Sequence, residues 1–223
     1  MGALLVYKAW SVLGHKKEVA VHMPTASIPV TATLITATTN TIDPEKKIIS
    51  APPATLTVDE QKKWSTLRDI MKSKNDNDSR LDKDLYNLSL LFHAELVKQY
   101  QNLPMESRNE RGLIAFLIAR DAKDSQDFEF LKSVYQESPC LSLDDCNTPS
   151  HGDPHLSGVD QTSANYPQLA TLYQLERQIN SGNLIFQDSN VKDQMRQLLA
   201  NAAQFPVPMV AKKAESLRAS HPF

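Results

Sequence analysis

The stretch SRNERGLIAFLIAR, Ser107 to Arg120, decides the fold class of this chain. Ser107 and Glu110 have the S/T-x-x-E spacing of a capping box, so they predict a helix start. Gly112 to Ala119 then contains no polar side chain. A helix that is apolar all round must be covered on nearly every side, so this one is expected at the centre of the domain.

Helical periodicity continues on both sides. Downstream, Asp124 or Ser125 is placed to cap a helix over 125–137 in which Phe128, Leu131, Val134 and Tyr135 share a face, widened by Phe130. Upstream, Thr57 and Glu60 form another capping-box pattern, followed by Trp64, Leu67, Ile70 and Met71 in a helix over 57–73. The run KNDNDS, Lys74 to Ser79, marks a turn. Asp76 and Asp78 there lack the Gly and Glu that complete a calcium loop.

A single helix over 79–101 is expected next, carrying Leu81, Leu85, Leu88, Phe92, Leu96 and Tyr100 and ended by Pro104. His93 sits beside that stripe and reads as a partly buried neighbour of the core. Beyond residue 164, Leu169, Leu172, Tyr173 and Ile179 predict a helix stopped by Gly182. Ile185 or Phe186 is expected to be buried in the connector. Asp188 or Ser189 then caps a helix with Val191, Met195, Leu198, Leu199 and Ala202. Pro206 and Pro208 suit the first turn of a final helix.

About seven helices joined by short turns predict an all-α fold. The expected hairpins pair 57–73 with 79–101, 107–121 with 125–137, and 165–181 with 188–204, within a domain over 57–220. An irregular helical bundle is the alternative arrangement.

The segment FPVPMVAKKAESLRAS, Phe205 to Ser220, resembles the second helix of a HEAT repeat. Val210, Ala214 and Leu217 occupy its V-x-x-x-A-x-x-L positions, while the Asp and Arg usual in the HEAT turn and second helix are missing or displaced. The resemblance covers this last helix alone. It implies a curved α-solenoid of stacked helical hairpins that binds another protein along one face.

Composition narrows the function. A formal net charge of −2 and a pI near 6.3 offer no basic face for nucleic acid. Six glycines stand against thirteen prolines, and no P-loop or G-x-G-x-x-G pattern occurs. Nucleophile elbows, H-E-x-x-H motifs and catalytic-cysteine contexts are also missing from the sequence. The carboxylate pairs Glu106 with Glu110 and Asp124 with Asp127 read as caps and solvated faces. No residue receives a catalytic assignment, and no cofactor is expected.

The soft ligands cluster in PCLSLDDCNTPSHGDPH, Pro139 to His155, with spacing C-x5-C-x4-H-x3-H. A disulfide between Cys140 and Cys146 is the leading expectation, because a six-residue bend brings two cysteines within bridging range. A zinc site built from Cys140, Cys146, His151 and His155 is the alternative, although an x5 gap is not the usual zinc knuckle. The surrounding stretch, 138–164, is expected to be a long exposed loop.

The first eighteen residues form a hydrophobic segment, MGALLVYKAWSVLG followed by polar His15 to Glu18. As a helix, Met1 to Gly14 would span about 21 Å, short of the roughly 30 Å hydrocarbon core. Residues 2–14 are expected to be the remnant of a membrane anchor that starts upstream; a weak signal sequence and an ordinary packed segment stay open. Residues 19–56, rich in Thr, Pro and Ala, read as a linker or as an arm lying over the domain. Together these features predict a non-enzymatic protein-interaction or scaffold module in the cell envelope, periplasmic or otherwise extracytoplasmic. A small metal-binding protein or metalloenzyme using the Cys/His loop is the alternative function, and the cytoplasm is the alternative location.

Overall fold

A computed structural model describes residues 49–148, 160–183, 186 and 188–221, all within the compact unit Ile42–Phe223. The expected anchor and most of the expected linker lie outside the described residues. Among the described residues the chain is all-α, with nine helices and no strand. None of these helices is long and apolar enough to cross a membrane.

The first helix, α1 (Val58–Ser73), forms as its capping box predicts: Thr57 accepts from the Glu60 N–H, and Glu60 accepts from the Thr57 N–H at 2.9 Å. Lys74 ends it in the left-handed region at φ 55°. Trp64, Leu67, Ile70 and Met71 are all buried. In the turn that follows, Asp78 is taken by Arg80 at 2.7 Å, and that bond holds its carboxyl down to about 2.

The expected single helix over 79–101 is broken. It divides into α2 (Arg80–Lys83) and α3 (Leu90–Asn102), separated by a connector in which Asn87 has a positive φ of 48°. Ser89 caps α3 by accepting from the Phe92 N–H, and its hydroxyl donates to Glu60 of α1. Leu85 and Leu88 stay buried through the break. Apolar spacing records which residues face the core, and here a folded connector keeps that spacing without helical hydrogen bonds.

The central helix α4 (Arg108–Arg120) is buried from Gly112 to Ala119 apart from a half-buried Phe116. Its predicted capping box does not form: Ser107 makes no side-chain cap bond. Arg108, Glu110 and Arg111 are buried in its first turn instead. Asp124 caps α5 (Ser125–Val134), accepting from the N–H groups of Gln126 and Asp127. The last residues of the expected 138–164 loop form a short helix, α6 (Gln161–Ala164).

Helix α7 (Tyr166–Asn180) ends at Ser181, with Gly182 at φ 71° where a side chain would be strained. Asp188 caps α8 (Ser189–Ala203), and Phe186 is the buried connector residue. Val210, Ala214 and Leu217 form the buried face of α9 (Pro208–Ser220).

The most extensive pairing is α4 against α7, which are separated in sequence by residues 121–165; α8 packs with α9 and α5, and α4 also carries α3 and α5. Sequence neighbours therefore do not account for the principal contact, and the expected pairings of 57–73 with 79–101 and of 165–181 with 188–204 are not among the close ones. The packed body also extends upstream of residue 57. Ile49 and Leu56 are buried, the Ser50 carbonyl accepts from the Trp64 indole at 3.0 Å, and Ser50 exchanges two hydrogen bonds with Gln99.

Tyr100 and Tyr135 contribute a pH dependence. Burial raises both hydroxyls, and Glu137 adds to the effect at Tyr100. A raised folded-state pKa gives stability that is complete below the unfolded tyrosine value, about 10, and is lost as pH rises beyond it. The Tyr100 hydroxyl faces the Glu137 carboxylate, whose charge opposes its ionisation. Tyr100→Phe is therefore expected to make stability fall less steeply with pH above about 10, as read from urea midpoints across that range.

Candidate functional site

Helices α3 and α5 each pack on α4 but approach one another closely at few places. Between them lies an open groove of about 440 Å³. Its apolar lining is Leu90, Ala94 and Val97 from α3 and Phe130 from α5. Leu90 is half exposed and Val97 half buried, while Phe130 is covered and packs edge-on against Tyr100. The volume is within the range of ligand sites, and the groove is partly open to solvent.

His93 and Asp127 tie the two walls together in this groove. The imidazole Nδ1 lies 2.9 and 3.0 Å from the two carboxylate oxygens of Asp127, and both residues are almost fully buried. Asp127 also accepts from the Lys123 N–H at 2.8 Å. The other imidazole nitrogen, Nε2, is buried without a hydrogen bond and faces Asp121 at 3.9 Å. Asp121 in turn accepts from the Leu88 N–H and lies 3.4 Å from the Lys123 ammonium.

This arrangement corrects the sequence reading of Asp127 as a solvated carboxylate. Asp124 is a cap, as expected, but Asp127 is a buried partner of His93. Glu106 is likewise engaged, accepting from the Cys146 N–H at 3.0 Å, and Glu110 is buried. The sequence holds the two partners, His93 in α3 and Asp127 in the first turn of α5, but nothing local specifies a bond across thirty-four residues.

Chemically, the tie positions helices. Both imidazole nitrogens face carboxylates, and the groove hydroxyl, Ser133, donates to the Phe130 carbonyl at 2.6 Å. No hydrogen bond joins that hydroxyl to a base.

A second depression, near Lys74, Asn75 and Leu113, holds about 20 Å³, room for about one water. Among the described residues no group of three or more His, Cys, Asp or Glu side chains is arranged to hold a metal ion.

The sulfurs of Cys140 and Cys146 lie at disulfide distance. With Ala164 and the partly buried Met105 they form a small cluster separate from the main core, and Leu141 and Leu143 project from the enclosed loop, each 45% exposed. His151 and His155 lie outside the described residues. A sulfur committed to a disulfide is no thiolate ligand, so the zinc alternative requires reduced cysteines.

Reduction is expected to add the mass of two hydrogens and to remove about 2 kcal/mol of stability by the chain-entropy account, while the helical circular dichroism is retained. Mass spectrometry and thermal melts with and without reductant check this. Unchanged mass with bound zinc would favour the four-ligand alternative.

No known protein family, no curated protein and no solved structure matches the chain.

Proposed function

We propose that this chain is a non-enzymatic helical interaction module that docks another protein in the α3/α5 groove. The observation that carries the reading is the combination of an apolar lining open to solvent with a polar floor whose buried groups are satisfied mainly within the protein. Such a surface gains by covering Leu90, Ala94 and Val97 and offers little to a reacting substrate. The HEAT-like spacing of α9 supports the same class, since those proteins bind others along helical faces.

The cysteine pair at disulfide distance supports an oxidising setting, and we place the module in the cell envelope, held there through residues 2–14. A net charge of −2 disfavours nucleic acid as the partner.

The test uses the full chain, in its native cells, carrying a photo-reactive residue at Ala94 in the groove or at Glu215 on the exposed surface of α9. A discrete protein adduct from position 94 and none from position 215 is the expected result. Absence of an adduct at 94, or the same adducts from both positions, would overturn the reading.

A further inference from the structure

The geometry points to the occupant of the α3/α5 groove: an amphipathic helix of about three turns that carries a basic residue on the flank facing α5. The inference rests on the interaction reading above and specifies its chemistry.

Shape selects a helix. No strand occurs among the described residues, so the groove offers an extended peptide no ladder of backbone groups to join. Its apolar positions on α3 are Leu90, Ala94 and Val97, spaced four and three residues apart, so a second helix can lay its own ridge along them. From Leu90 to Gln101 the α3 wall runs about 16 Å, the length of about three helical turns. Exposed Ala94, at the middle of that wall, leaves room for a large apolar side chain from the partner.

Charge selects a basic flank. Five ionisable side chains other than His93 meet the solution or the floor along this groove and its mouth: Lys98, Asp124, Asp127 and Glu129 line it, and Lys123 adjoins its floor. Lys98 contributes its stem, while its ammonium is bonded to Glu95 at 2.8 Å. Asp127 is buried and hydrogen-bonded to His93, and Lys123 lies beside Asp121. Asp124 turns one oxygen to its own helix, and Glu129 is exposed with no ion pair among the described residues. The α5 wall is thus left negative, and the positive charge of the α3 wall is already engaged. A lysine or arginine beside Glu129 completes the pairing, whereas an acid there meets a like charge.

The probe is a synthetic, helix-stabilised peptide of about three turns with leucines on one face and one lysine on the flank, compared with a twin in which glutamate replaces that lysine. Binding to the full chain is followed by fluorescence anisotropy at low salt. The lysine peptide is expected to bind about fivefold or more tightly than its twin, and Glu129→Lys, a change at an exposed position, is expected to reverse the order.

Equal binding of the two peptides, or an order unchanged by Glu129→Lys, would overturn the charge assignment. Failure of both peptides alongside a protein adduct at Ala94 would overturn the helix assignment while leaving the interaction reading intact. Loss of the adduct itself would remove both.

Discussion

Glu137→Ala is expected to destabilise the protein by about 3 kcal/mol or more, because it strands two buried guanidinium groups. Arg108 and Arg111 lie one helical turn apart at the start of α4, and both are buried. Glu137 is bonded to Arg111 and lies 3.7 Å from Arg108. Arg111 also donates to the carbonyls of Tyr100 and Leu103 and stacks on the Tyr100 ring at 3.9 Å. Arg108 donates to Gln168 at 2.7 Å, and Gln168 donates onward to the Val134 carbonyl.

This network joins α3, α4, α5 and α7. An arginine does not escape burial by losing its proton, so removing the shared carboxylate leaves charge in a low-dielectric interior. Burial already pulls Arg108 below its ordinary value. Glu137→Gln keeps the shape and an acceptor, and it should cost less than Ala. Urea denaturation of the two variants checks the order; a Gln variant as stable as the parent would mean that the charge is unimportant, and a Gln variant as costly as Ala would mean that the charge carries the whole effect.

Gly112→Ala is expected to destabilise by about 1–2 kcal/mol, against the gain that helix propensity alone would give. Alanine in a helix interior is favoured over glycine by about 1 kcal/mol. At Gly112, however, an added Cβ would lie 2.2 Å from Cδ1 and 2.8 Å from Cγ of Tyr166. The clash reaches the root of the ring, so a small rotation of its tip does not relieve it. Overpacking of this kind costs about 1–3 kcal/mol and outweighs propensity. The position is sensitive because it lies where α4 meets α7, the most extensive helix pair in the fold. In a double-mutant cycle, Tyr166→Ala should be less harmful when residue 112 is already alanine. Simple additivity would contradict the close approach.

Much of the fold was legible in the sequence for a local reason. The apolar run Gly112 to Ala119 marked the central helix, and Thr57 with Glu60 marked the start of α1 to the residue. The same reasoning erred where burial and backbone conformation separate. Leu81, Leu85, Leu88 and Phe92 keep a helical spacing through a connector that is not helical, although Ser89 carried an unused cap signal. Ser107 with Glu110 matched the capping pattern, yet Ser107 makes no cap bond and Glu110 is buried.

The groove was illegible for a different reason. His93 and Asp127 are ordinary residues on separate helices, and only their packing on α4 brings them together. The cysteine spacing was the opposite case: a short separation restricts the two sulfurs to nearby positions before any tertiary contact forms. That loop also presents Leu141 and Leu143 to solvent, which makes it the rival surface for a partner.

Hydrogen exchange of the full chain, with and without the lysine-bearing helical peptide, tests the groove most directly. The account predicts slowed exchange in α3 and α5, with the Cys140 to Cys146 loop and α9 unchanged. Protection gained in that loop while α3 and α5 exchange as before would contradict it.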